Sequence, residues 1–170
     1  MRGMSHPLVL ATFPTVSAAA EAARTIHALG IDKEHISVVA RDHDQSRALA
    51  NEMDAMPGVE LEDSRTAALL GELSGYVIAA MALVMPGIGP IVAAGPLAAA
   101  LGDAAGHAAG NLAAVLKAAG LPHERAEAVR RDVAHGAVLV GIHVAPSDVD
   151  RVRQTLSTAG ATTLDLVTWA

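Results

Sequence analysis

The sequence has no cysteine, and among its 170 residues there is only one Trp, one Tyr and one Phe. The absence of cysteine excludes disulfides, thiolate metal ligands and a cysteine nucleophile. With so few aromatic rings, the core must pack through Ala, Val and Leu side chains. The formal net charge of -6 argues against nucleic acid as a partner, because phosphate binding needs a concentrated cationic surface. The N-terminal apolar run is too short for a signal peptide, so we expect a cytoplasmic protein.

Charge is also scarce in the middle of the chain. Residues 66–120 contain only three charged side chains, Glu72, Asp103 and Lys117, and no side chain from Val77 to Leu101 carries a polar group. In aqueous solution, an apolar run of this length must be shielded from water. We interpret residues 66–120 as an inserted helical hairpin that bends between Pro86 and Pro90.

Small residues at four-residue spacing flank the prolines and lie on one face of each predicted helix. They predict a packing seam between the two arms, formed by Gly71, Gly75, Ala79, Gly102, Gly106 and Gly110. Polar residues next to this seam predict one polar face near the base of the hairpin, formed by Glu72, Tyr76, Asp103, His107 and Asn111.

The flanking segments have the pattern of a small α+β domain. Strands are predicted at Leu8–Thr12, Ile36–Ala40, Ala137–Val144 and Thr163–Trp169, with amphipathic helices between the strands of each pair. Ser147 and Asp150 resemble a capping box that opens the last helix. Two β-α-β units of this kind predict a ferredoxin-like sandwich. Residues 1–65 would form its first half with a charged bridge, residues 66–120 the hairpin insertion, and residues 121–170 the second half.

The bend of the hairpin would carry an apolar tip. Its residues are Val84, Met85, Ile88, Ile91, Val92 and Leu97. One destination is a protein interface, in which hairpins of several subunits bury their tips together. Another is peripheral contact with the inner membrane, since the prolines divide the run into pieces shorter than a bilayer span. The simplest alternative is that the segment folds back on its own sheet as core.

Residues with catalytic or metal-binding chemistry are dispersed along the chain. The eight histidines are His6, His27, His35, His43, His107, His123, His135 and His143. Only His123 and Glu127 share a local helical face, and a zinc site needs a third protein ligand. Arg41-Asp42-His43-Asp44 fits a solvated loop better than a site, and His143 fits a core or edge position better than a general base. We therefore expect no catalytic residues, no metal and no cofactor.

Three stretches together resemble a bacterial family of general stress proteins of the heat-induced type, several members of which carry a glycine-zipper insertion. They are ISVVARD at Ile36–Asp42, MPGIGPIVAAGPLAAAL at Met85–Leu101 and GAVLVGIHV at Gly136–Val144. The resemblance implies a stress-related protein and carries over no catalytic residue. The leading hypothesis is a non-enzymatic homo-oligomer, assembled or membrane-associated through the hairpin. The alternative is a ferredoxin-like regulatory module that binds a small molecule.

Overall fold

The computed structural model describes residues 6–41, 81–85, 88–105 and 111–169, and everything below refers to these residues. The strands are β1 (His6–Phe13), β2 (Ile36–Arg41), β3 (Met81–Met85), β4 (Gly89–Ala94), β5 (Val138–His143) and β6 (Thr163–Trp169). The helices are α1 (Val16–Ala28), α2 (Pro96–Ala105), α3 (Leu112–Ala118), α4 (His123–Ala134) and α5 (Val149–Thr158). Short 3-10 turns at Lys33–His35 and Pro146–Asp148 precede β2 and α5.

All six strands belong to one sheet with the order β3-β4-β2-β5-β1-β6. Each pairing between neighbours is antiparallel, and β5 is fixed in register by Val38↔Val140 on one side and Ala11↔Val140 on the other. β3 and β6 are the two edge strands of this described sheet. The chain is therefore a mixed α+β protein built on an antiparallel sheet.

Helices cover both faces of the sheet. On one face α1 and α5 bury Val38, Val140 and their neighbours; on the other, α2, α3 and α4 bury Leu10, Leu139 and Ile91. Alternate side chains of a strand point to opposite faces, so a strand enclosed on both sides is apolar along its whole length. This explains the unbroken apolar sequence of β5, in which every residue from Val138 to Ile142 is buried.

The described strands of the flanking segments lie where the sequence predicts them. β1, β2, β5 and β6 occupy the four predicted strand positions to within two residues. The Thr15 side chain caps α1 by accepting a hydrogen bond from the Ala18 N–H at 3.1 Å. The capping box predicted at Ser147 and Asp150 is wrong, because a 3-10 turn leads into α5 and the cap residue, Asp148, makes no side-chain capping bond.

The helical prediction is wrong for residues 81–85 and 89–94, which form the antiparallel strands β3 and β4. β4 pairs with β2 from Val38↔Ala94 to Arg41↔Ile91, so this part of residues 66–120 extends the sheet beyond β2. A continuous apolar run does not distinguish a buried strand from a buried helix by periodicity. Pro90 lies opposite Val84 in the pairing of β4 with β3.

Four side chains of the predicted hairpin tip are buried within this chain, where the prediction has them meet other subunits or a membrane. Ile88, Ile91, Val92 and Leu97 are 7%, 0%, 1% and 0% exposed and belong to the two cores. Val84 and Met85 lie in β3. For these four side chains the protein's own sheet and helices provide the burial.

The second arm of the predicted hairpin is helical in part. It forms α2 and α3, and a new helix starts at residue 112 because the Asn111 side chain accepts a hydrogen bond from the Ala114 N–H at 2.8 Å. Asn111 is thus a helix cap and Asp103 lies in α2. Of the predicted seam, Gly102 lies in α2; Gly71, Gly75, Ala79, Gly106 and Gly110 fall outside the described residues, as do Glu72, Tyr76 and His107 of the polar face.

The junction between β4 and α2 lies tightly against β2. Gly95 has a φ of +82°, and a β-carbon there would meet the Ile36 carbonyl oxygen and approach the Ser37 Cα to 2.8 Å. Gly141 in β5 leaves room for Leu97, whose Cδ1 would lie 2.9 Å from an added β-carbon. Two glycines therefore let the N-terminal turn of α2 sit directly on the centre of the sheet.

Candidate functional site

A cleft of about 540 Å³ opens at one end of the sheet. The start of β1, the ends of β5 and β6, the loops before β2 and α5, and the first residue of α2 surround it. Its lining residues are His6, Gly30, Ile31, Asp32, Glu34, His35, Pro96, His143, Val144, Ala145, Asp148 and Trp169. Volume and composition suit a small molecule with an apolar body and a few polar groups.

His143 and Trp169 are both among the residues that line the cleft. Their ring centroids are 5.5 Å apart and the rings are nearly perpendicular, at 88°. This edge-to-face arrangement is favourable between aromatic rings. The strand β1 lies between β5 and β6, so the Trp169 side chain reaches across it to His143. Both residues are partly buried, and Trp169 packs against the core beneath α2, α3 and α4.

The Nε2 atom of His143 is closed to solvent and has no hydrogen-bond partner among the described residues. Burial lowers the pKa of the His143 imidazole below its ordinary value, and the charges of His35 and His6 act in the same direction. The ring is therefore held neutral near pH 7. A neutral imidazole has one donor and one acceptor nitrogen, and the Nε2 of His143 makes no hydrogen bond with the described residues.

The rim of the cleft carries the remaining titratable groups. His6, Asp32, Glu34 and His35 are exposed, and Asp148 is partly buried. Asp148 accepts a hydrogen bond from Arg151 at 2.9 Å. No Lys or Arg is among the residues that line the cleft in the described part of the chain. Asp32, Glu34 and Asp148 are the carboxylates among these lining residues.

Of the described residues singled out from the sequence, His6, His35 and His143 line the cleft, whereas His123 and Glu127 do not. Glu127 forms an ion pair with Arg130 at 2.9 Å, and the hydrogen bond from Arg130 lowers the pKa of Glu127. His123 instead has its Nδ1 3.4 Å from Lys117 Nζ. No group of three metal-ligating side chains that could hold a metal ion is found among the described residues.

Arg41 ends β2 and lies under α4. Its Nη1 donates to the Ala134 carbonyl at 2.7 Å, at the C-terminal end of that helix, where a cation is favourable. Its Nε is buried without a partner among the described residues. Asp42, His43 and Asp44, the other members of this sequence cluster, lie outside the described residues.

From the sequence, the histidines were interpreted as dispersed, and the grouping of His6, His35 and His143 was not predicted. The signal that could have found it is their position relative to the strands, together with that of Trp169. His6 begins β1, His143 ends β5 and Trp169 ends β6. When β1 runs antiparallel to both neighbours, its start and their ends lie at the same edge of the sheet.

The described part of the chain contains no helix that is both long enough and apolar enough to cross a bilayer. No family model, curated protein or solved structure matches this chain.

Proposed function

We propose that this protein is a regulatory module that binds a small molecule in the cleft between His143 and Trp169. The observation that carries the proposal is the cleft of about 540 Å³, which has the partly buried His143 and Trp169 among its lining residues. A cleft of this size, lined by apolar side chains and a few polar ones, is the usual kind of site for a small molecule. The ring of Trp169 supplies apolar contact area.

The strand order supports a ferredoxin-like architecture for the domain that carries the cleft. Four of the strands have the order β6-β1-β5-β2, with α1 connecting β1 to β2 and α5 connecting β5 to β6. This is the arrangement expected of two interleaved β-α-β units. β3 and β4 would then be additions at the β2 edge. Ferredoxin-like domains often bind small molecules, which is an argument by analogy and secondary to the cleft itself.

The experiment is a ligand screen with two independent readouts. Thermal unfolding is measured against a panel of metabolites, and each compound that stabilises the protein is then titrated while Trp169 fluorescence is recorded. Because Trp169 is the only tryptophan, a change in its emission reports on the cleft. A ligand at a hundredfold excess over its Kd would stabilise the folded state by about 2.7 kcal/mol.

His143→Gln is the matched test of the site. It should weaken every ligand that moves both readouts, because the side chain that bonds to the ligand has changed shape and length. His135→Gln, at an exposed position at the end of α4, should leave binding unchanged. Ligands that stabilise the protein equally in wild type and in His143→Gln, without altering Trp169 emission, would show that the cleft is not the binding site.

Self-association is a second candidate function, and the edge strand β6 favours it. β6 pairs only with β1 in the described sheet, and Leu166 is 49% exposed on it. An unpaired edge can extend its sheet by pairing with the same edge of a second copy. This homo-oligomer would use β6 in place of the hairpin tip, whose described side chains are buried. Leu166→Lys should then lower the mass measured by light scattering, and an unchanged mass would refute it.

A stress-related, non-enzymatic role and peripheral contact with the inner membrane remain predictions from the sequence. Membrane contact is tested by flotation with liposomes of anionic and of neutral lipid. Recovery of the intact protein in the bottom fraction with both liposome types would remove the membrane as a partner. A stress-related role predicts that heat raises the amount of the protein in its native cells.

A further inference from the structure

We propose that two copies of this protein pair their β6 strands antiparallel about a two-fold axis at Leu166, so that their two sheets join into one. This inference rests on the second candidate function, self-association through β6, and adds the register of the contact. It follows from three features of β6: the direction of its backbone hydrogen bonds, the side chains at its outward-bonding positions, and its length.

The hydrogen bonds of β1 determine which backbone groups of β6 are already used. The Val144 N–H donates to the Pro7 carbonyl at 3.0 Å, and the Thr162 N–H donates to the Thr12 carbonyl at 2.7 Å. Along an antiparallel strand, successive residues direct their backbone groups to opposite neighbours. Odd-numbered residues of β1 therefore bond toward β5, and even-numbered residues bond toward β6.

The register of β1 and β6 leaves three residues of β6 with N–H and C=O groups directed away from the sheet. Even-numbered residues of β1 lie opposite odd-numbered residues of β6, as in Leu8↔Val167. The even-numbered residues of β6 therefore point their backbone groups outward, and these are Leu164, Leu166 and Thr168. Leu166 and Thr168 are exposed, and β6 is an edge strand of the described sheet.

The outward-bonding positions carry no charge and no proline, which are common means of protecting an edge strand. At 49% exposure, Leu166 is the one large hydrophobic side chain among the described residues that is exposed. Asp165, the only charged residue of β6, bonds toward β1 and is held by Arg125 at 2.8 Å. The edge is thus open to a further strand, with an apolar side chain at its centre.

The strand is complementary to itself, which selects a second copy as its partner. β6 has seven residues, Thr163–Trp169, and Leu166 is the middle one. Antiparallel pairing about Leu166 overlaps the whole strand and places Leu164 opposite Thr168, so outward-bonding residues meet only each other. An axis at Asp165 would instead place two carboxylates directly opposite, which is unfavourable.

The same register places the partner beside the cleft. Trp169 ends β6 and lines the cleft, and it lies opposite the partner's Thr163 in this pairing. Side chains of directly opposite residues lie on one face of a sheet, with their β-carbons about 5 Å apart. The partner therefore flanks the indole ring, and Trp169 emission should change as the protein is diluted from dimer to monomer.

The absence of cysteine makes a single introduced cysteine a specific probe of the axis. In Leu166→Cys the two thiols face each other across strands whose α-carbons are about 5.5 Å apart, which suits a disulfide. In Thr168→Cys, at an exposed position of the same strand, the two thiols are roughly 14 Å apart.

Cross-linking is followed on non-reducing gels, with oxidised glutathione as the oxidant and the intact protein at a concentration at which light scattering gives a dimer. We expect Leu166→Cys to form the linked dimer at least about fivefold faster than Thr168→Cys. Equal rates, or faster linking in Thr168→Cys, would overturn the axis at Leu166.

A second variant tests the backbone bonds. Leu166→Pro removes an outward N–H and no bond to β1, so it should weaken the dimer at least about tenfold while the monomer stays folded in thermal unfolding. Leu166→Val keeps the N–H and an apolar side chain and should change the affinity less than about threefold. An unchanged dimer in Leu166→Pro would refute pairing through β6.

Leu166→Lys covers the case in which the proline variant does not fold. It places two ammonium groups directly opposite each other at an exposed position, so the folded protein should be monomeric. A dimer that persists in Leu166→Lys would refute the axis at Leu166.

Failure of this inference is distinct from failure of self-association. If wild type is a dimer by light scattering and the two cysteine variants link at equal rates, self-association stands and the β6 register falls. If wild type is monomeric at every concentration, both fall, and the binding function of the cleft is unaffected.

Discussion

The hydroxyl oxygen of Ser37 accepts a hydrogen bond from the backbone N–H of Leu97 at 3.0 Å, across 60 residues of sequence. Ser37 lies in β2 and is fully buried, and Leu97 is in the first turn of α2. The first N–H groups of a helix have no partner within it, so Ser37 acts as a cap supplied from the sheet. The bond joins α2 to β2.

Replacing Ser37 by Ala removes this cap and leaves a buried N–H group without a partner. We expect Ser37→Ala to lower the free energy of unfolding by about 1–2 kcal/mol. Urea unfolding followed by circular dichroism measures the change. Ser157→Ala, at an exposed position in α5, is the control and should stay within about 0.5 kcal/mol of wild type. Equal effects of the two substitutions would contradict a capping role for Ser37.

Gly95→Ala should be much more damaging than Gly160→Ala, although both glycines have positive φ angles, of +82° and +97°. A β-carbon at Gly95 meets the backbone of β2, whereas none of the surrounding atoms lies within 4 Å of one at Gly160. We expect a loss of about 3 kcal/mol or more at Gly95 and about 1–2 kcal/mol at Gly160. Similar losses would show that α2 does not sit as closely on β2 as the structure has it.

Ile91→Ala tests whether the central apolar segment is core. Ile91 is fully buried between the sheet and the helices, so its truncation should cost about 2–5 kcal/mol. Leu166, which is 49% exposed, provides the comparison, and Leu166→Ala should cost less than about 1 kcal/mol. Both are read from chemical unfolding midpoints at a protein concentration low enough to keep the chain monomeric. A small loss of stability in Ile91→Ala would favour the hairpin tip predicted from the sequence over a buried position in β4.

His143 should make the protein less stable as the pH falls. Burial lowers the pKa of the folded-state imidazole, so below about pH 6.5 the unfolded chain binds a proton that the folded chain does not. The free energy of unfolding therefore decreases from about pH 6.5 down to the folded-state pKa and levels off below it. His143→Gln should flatten this dependence, and His135→Gln should retain the wild-type slope. Parallel curves for all three proteins would exclude a contribution from His143.

The ion pair between Arg125 and Asp165 fastens α4 to the edge strand β6, with two hydrogen bonds of 2.8 and 3.1 Å. The hydrogen bond with Asp165 raises the pKa of the Arg125 guanidinium. Because the Arg125 side chain is 40% exposed, we expect Asp165→Asn to cost only about 1 kcal/mol. The cost should shrink in 1 M salt, at which exposed charges are screened beyond about 3 Å. A loss that does not respond to salt would assign the effect to packing.

Local sequence signals were sufficient for β1, β2, β5 and β6, because each forms at a short apolar run that predicts a strand. The same signals were insufficient for Ile91 and Val92. The two side chains pack into the cores on opposite faces of the sheet, so both positions are apolar. Their segment therefore shows neither the alternating polarity of a half-buried strand nor the periodicity of an amphipathic helix.

The cleft could be predicted only in part, because it is made by pairing between distant strands. His143 was recognised as a core or edge histidine, but its neighbours His6 and Trp169 come from the two ends of the described chain. Their proximity depends on β1 lying between β5 and β6. That strand order depends on tertiary packing, and it cannot be inferred from the spacing of residues in the sequence.

Enclosure of β2, β4 and β5 on both faces confines functional variation to the ends of the sheet. Most side chains on these strands contribute to one of the two cores, so a substitution there changes the fold. The loops before β2 and α5 add only Ile31 and Val144 to a core, and they also contain Asp32, Glu34 and Asp148. Under the proposed binding function, exchange of these loops should alter ligand preference without changing the strands.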